Sequence, residues 1–142
     1  MMKYSLDKNK ICINIGKGEL VNASILNVAM RNKVEFGWVN GIGAISDPEI
    51  GFYDIENKEY IKKIVPGHFE LVSLQGNLTY KDDELFIHSH IAFTDVNFQA
   101  YGGHLFDCKI AVAGEFIIFN GQNKLSRNYD DETGLFLWNC KI

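Results

Sequence analysis

Residues 85–106 read LFIHSHIAFTDVNFQAYGGHLF. The opening segment, Leu85 to Phe93, decides the fold. Successive side chains of a strand point to opposite faces. One face here carries Leu85, Ile87, Ser89, Ile91 and Phe93; the other carries Phe86, His88, His90 and Ala92. The first is the natural core face, so the stretch predicts a half-buried strand. His88 and His90 then stand side by side on the opposite face, roughly 6.5–7 Å apart along the strand.

The flanking sequence continues in the same style. Lys81-Asp82-Asp83-Glu84 reads as a hairpin tip before this strand, and Leu105–Phe119 and Leu135–Trp138 read as strands after it. Upstream, strands are expected at Ile11–Ile15, Phe36–Ile45, Ile50–Ile55, Glu59–Val65 and Phe69–Leu74, with Leu78–Tyr80 following a bend at Gly76-Asn77. Ser46-Asp47-Pro48 marks a turn, and the polar segment Asn120–Thr133 reads as a loop. One helix is expected, from about Glu19 to Asn32, because Val21, Ile25, Val28 and Ala29 make an apolar stripe. Glu19 suits its positive end, and Arg31 and Lys33 its negative end. The pattern predicts an α+β fold: a single domain with a central, largely antiparallel twisted sheet and one main helix after the first strand. Residues 1–142 are expected to form that one domain, with a C-terminal extension after about residue 120.

Composition narrows the function. Hydrophobic residues make up 46% of the chain and charged ones 23%, enough for a self-sufficient core. The net charge of −4 argues against a nucleic-acid binder, which needs a basic footprint. The three cysteines, Cys12, Cys108 and Cys140, form no C-x-x-C pair and read as reduced thiols of a cytoplasmic protein. Neither a signal peptide nor a membrane span is evident.

Three of the four histidines fall in the opening stretch. His104 lies fourteen residues after His90, and a strand, a loop and a return would bring it back alongside. Gly102-Gly103 removes two side chains and lets a loop pass close to the site. Three imidazoles with an open position are the ligand set of a zinc site that keeps water or substrate coordinated. Asp95 and Asp107 are candidates to orient a ring nitrogen, and Glu70 or Glu115 would be a candidate base if close by. Spacing alone leaves a second reading open: exposed or hydrogen-bonded histidines with no metal. His68 stands apart and reads as structural or solvent-facing. Gly41-Ile-Gly43 lacks a third glycine and lies in an apolar strand, so it does not read as a nucleotide site. Cys108, four residues from His104, reads as a buried thiol.

Gly41-Ile-Gly-Ala44, Gly51-Phe-Tyr-Asp54, Phe69-Glu-Leu-Val-Ser-Leu-Gln-Gly76, His88-x-His90 and Gly102-Gly-His-Leu105 together resemble the plant-and-prokaryote PPC domain, in its stand-alone prokaryotic form. The similarity runs from about Ile11 to Phe119. It implies an α+β homotrimer with a metal ion, zinc first, on His88, His90 and His104. In plants the domain accompanies an Arg-Gly-Arg AT-hook, and prokaryotic members are labelled DNA-binding by that association. This sequence has no Arg-Gly-Arg and only two arginines, Arg31 and Arg127, so the label finds no support in it. Three functions follow as expectations: a trimeric module with a structural or regulatory metal, a metal-dependent hydrolase or lyase acting on a small anionic molecule, or, least favoured, a DNA-binding regulator.

Overall fold

The computed structural model describes residues 1–140; the last two positions of the expected domain lie outside the described residues. Two strands, β1 (Lys3–Asp7) and β2 (Lys10–Gly16), precede the helix α1 (Val21–Arg31). Then come β3 (Gly37–Asp54), β4 (Glu59–Ile64), β5 (His68–Lys81), β6 (Glu84–Thr94) and β7 (Ala100–Asn120). A small hairpin, β8 (Arg127–Asp130) and β9 (Leu135–Trp138), follows. The main sheet is antiparallel in every pairing, in the order β1-β2-β7-β6-β5-β3-β4. β7 also pairs with β3. The four strands β3, β5, β6 and β7 therefore close on themselves, which removes edges that would otherwise invite aggregation.

The core lies inside this closed sheet and under α1. Ile87, Ser89, Ile91 and Phe93 of β6 point inward and are buried, as their alternation predicts. Val21, Ile25, Val28 and Ala29 of α1 are fully buried against them. The helix starts two residues later than expected. Glu19 turns back instead, and its Oε2 accepts a bond of 2.9 Å from the Gly16 N–H. The helix start has no cap from its own sequence. The carboxylate of Asp107, on β7, accepts from the N–H groups of Asn22 and Ala23 at 2.9 and 3.3 Å. That is a capping carboxylate supplied from 85 residues away.

Four local expectations are corrected. Ser46-Asp47-Pro48 is not a turn between strands. β3 runs through it as an irregularity, with Asp47 at φ 49° and its backbone and side chain both bonded to Gly67. Gly76-Asn77 does not bend β5, which continues to Lys81. Gly102-Gly103 lies within β7, not in a loop. Its role is still close approach: a Cβ on Gly102 would come within 2.6 Å of the Ile91 carbonyl oxygen on β6. Asn120–Thr133 is not all loop, because it contains β8.

Candidate metal centre

The register of the sheet assembles the site. His90 lies directly opposite His104 on β7, and His88 lies opposite Asn77 on β5. All three histidines stand on the outer face, behind the buried row of β6. One ring nitrogen from each lies within 4.8 Å of the others. Ring centroids are separated by 5.1, 5.2 and 5.5 Å. The Nε2 atoms of His88 and His90 are 3.2 Å apart. Two ligands of a tetrahedral zinc at Zn–N distances of about 2.0–2.1 Å are separated by about 3.3 Å, so this pair is spaced for one ion.

Neighbouring rings hold His104 in place. Tyr60 of β4 stacks on it at 4.7 Å, and the Tyr60 hydroxyl lies 3.5 Å from Nδ1. Phe106 packs edge-on at 4.9 Å. A contact at Nδ1 leaves Nε2 as the free nitrogen. On the core side, Asn22 ties both histidine strands together. Its amide donates to the carbonyls of Leu105 and Phe106, and its oxygen accepts from Ser89 Oγ at 2.9 Å. Ser89 is the residue between His88 and His90, and Leu105 follows His104.

Burial pushes the His88 and His104 imidazoles down to about 4. The neighbouring histidines add to this, as do Arg127 at His88 and Lys62 at His104. Both rings are therefore neutral near pH 7 and keep a lone pair for a metal. The consequence for stability has a definite sign. Above the ordinary value of 6.5 these two rings are neutral whether the chain is folded or not. As the pH falls from 6.5 towards 4, the unfolded chain takes up protons that the fold resists. Metal-free protein is expected to lose thermal stability across that window, and the double variant His88→Gln, His104→Gln to lose less. Equal slopes for the two in melts from pH 7 to pH 4.5 would refute this.

Among the described residues neither candidate aspartate is hydrogen-bonded to a histidine. Asp95 folds over its own turn, accepting from Asn97, Gln99 and Tyr101. Asp107 is held by backbone N–H groups of α1 and of Cys108, while burial raises its pKa from the ordinary value. Glu70 and Glu115 belong to other rows, opposite Thr94 and Asn14 respectively. His68 is exposed at the start of β5. Cys108 is buried and its thiol is pushed up to about 12, which makes it inert.

His88 and His104 form part of the lining of a cleft of about 620 Å³. The β8–β9 hairpin supplies Leu135, Phe136, Leu137 and Arg127 to its walls. Sequence reading gives Arg127 no role in a site, nor Asn22 or Tyr60. The one available signal was the scarcity of arginine, two in 142 residues.

A closed antiparallel sheet with one helix and an outward-facing histidine triad defines the class. The chain belongs to the Plants and Prokaryotes Conserved (PCC) domain family, the PPC family of the resemblance above, whose model matches residues 2–121. Solved structures agree. A PPC protein from Pyrococcus horikoshii is 30% identical with a TM-score of 0.86, covering 100% of this chain and 96% of its own. A metal-containing protein from Archaeoglobus fulgidus is 30% identical with a TM-score of 0.84, at 97% coverage of both chains. A candidate DNA-binding protein from Bacteroides thetaiotaomicron is 26% identical with a TM-score of 0.94, covering 98% of this chain and 97% of its own. No curated protein matches the chain.

Proposed function

We propose that this is a homotrimeric PPC-domain protein that holds a zinc ion on His88, His90 and His104. The carrying observation is the convergence of three imidazole nitrogens within 4.8 Å on rigid, paired strands. The metal-containing relative from Archaeoglobus fulgidus supports it. Trimerisation is supported by the outer sheet face that carries the histidines. Its cross-strand rows also present Trp38, Ile42 and Phe119, exposed by 40%, 54% and 39%. An apolar face of this kind is ordinarily covered by a partner. We read the chain as one domain, with the segment after about residue 120 as an extension that completes the cleft. Among the described residues no helix is long and apolar enough to cross a membrane. A cytoplasmic location fits the cysteine usage.

A second reading, a hydrolase or lyase, is favoured by the cleft beside the histidines. A zinc ion held by His88, His90 and His104 would supply Lewis-acid chemistry to a bound water. Here His88 and His104 would hold the ion at the cleft wall, and Tyr60 would steady His104. DNA binding has the least support, given a net charge of −4.

Plasma mass spectrometry on untagged, chelator-free protein, together with light scattering, tests the first reading. About one zinc per subunit in a trimer is expected. A trimer that takes up no metal on titration would leave the interaction-module role alone.

A further inference from the structure

The cleft beside the histidines is electropositive although the chain is acidic overall. Arg127 lies in its wall, half-buried. Its Nε donates to Thr79 Oγ1, Nη1 to the Phe136 carbonyl and Nη2 to Asn77 Oδ1, each at 2.8 Å. All three acceptors are neutral. A guanidinium has five N–H groups, so two remain after these bonds. Among the described residues the ion pairs are Met1 with Glu19 and Lys124 with Asp83, and neither involves Arg127. Lys81 also lines the cleft, over the Phe136 ring at 4.3 Å, and Lys62 sits over Phe106 at 4.0 Å. The one carboxylate in the lining is Asp107, whose oxygens are engaged by backbone N–H groups.

Half-burying a cation with no acidic partner among the described residues carries a desolvation cost. This one is nevertheless fixed rigidly, by Asn77 and Thr79, which are 7% and 0% exposed. A planar fork of donors matches a carboxylate. Much of the remaining lining is apolar, including Phe86, Leu135, Phe136, Leu26 and Leu85. We infer that the cleft binds a small organic carboxylate with an apolar body, its carboxylate on Arg127 and its body reaching toward His88 and His104. The family match ends at residue 121, so this arginine lies beyond the matched segment. The inference names the ligand class of the cleft described above, and it stands on Arg127 rather than on the metal.

The chain's two arginines make a direct test possible. In 15N-labelled protein the side-chain Nε–H region should hold two arginine signals, and Arg31→Lys identifies Arg127. Metal-free protein is titrated with 3-phenylpropionate, 3-phenylpropanol and inorganic phosphate. The acid should shift the Arg127 signal saturably and leave Arg31 unmoved, and the alcohol should bind at least tenfold more weakly. In a Trp38→Phe background, where Trp138 is the one tryptophan, Arg127→Gln should weaken binding of the acid at least tenfold while Trp138 fluorescence, which reports hairpin docking, is unchanged. If that fluorescence changes, the unmutated Arg127 signal decides. An unmoved signal, equal binding of the alcohol, or a response to phosphate alone overturns the inference. Repeating the titration with zinc separates the two readings. Binding that needs zinc and leaves Arg127 unmoved sinks this inference and keeps the metal; an Arg127 shift in a protein that never takes up metal does the reverse.

Discussion

Alanine in place of His104 is expected to abolish stable metal binding while leaving the fold intact. His104 supplies one of three nitrogens, and the other two, on His88 and His90, sit on a single strand. Losing it leaves a two-imidazole site with no partner from β7. Outer partners of metal ligands are worth about 10–100-fold in affinity, and loss of a ligand should exceed the upper figure. The cost to the fold is small, because the ring stands on the outer sheet face against Tyr60 and Phe106 rather than in the core. Zinc titration against a chromophoric chelator, with circular dichroism as the control for folding, measures both. Full occupancy in folded His104→Ala protein would disprove the three-histidine assignment.

Asn22→Ala should have the largest effect on stability. Asn22 is 6% exposed and its side chain makes three bonds to β6 and β7. Alanine leaves Ser89 Oγ and two carbonyls without those partners in a dry place. Each orphaned group costs about 1–3 kcal/mol, and partial relaxation brings the sum to about 3 kcal/mol. For a chain of this length that corresponds to about 10 °C in Tm. Ser89→Ala removes one of the three bonds and should cost about 1 kcal/mol. The two substitutions share a bond, so the double variant should fall short of their sum. Metal affinity should also drop in Asn22→Ala, since Ser89 and Leu105 are the chain neighbours of the proposed ligands. A loss below about 1 kcal/mol in urea unfolding would show that water replaces the asparagine.

Legibility varied with the range of the physics involved. The strand Leu85–Phe93 was readable because alternation is a local property: burying one face decides the other. The stripe of α1 was readable for the same reason. The irregularity at Ser46-Asp47-Pro48 is not legible in the sequence, because the same residues serve a turn between strands or a break within one. Here Asp47 bonds to Gly67, and only the partner segment distinguishes the two cases. The dipole rule suits Glu19 to the helix start, whereas the carboxylate that caps α1 is Asp107.

By itself, then, the sequence determined which side chains share a face. It set the core row of β6, the apolar stripe of α1, and the pairing of His88 with His90 on the side away from the core. Those follow from periods of 2 and 3.6 residues. The tertiary structure alone decided what meets across strands. The β6–β7 register puts His104 opposite His90. Closure of the sheet through β3 and β7 brings β4, and with it Tyr60, beside His104. Folding back of the final hairpin sets Arg127 against Asn77 and Thr79. Such contacts join residues 14 to 50 positions apart, and no local period encodes them.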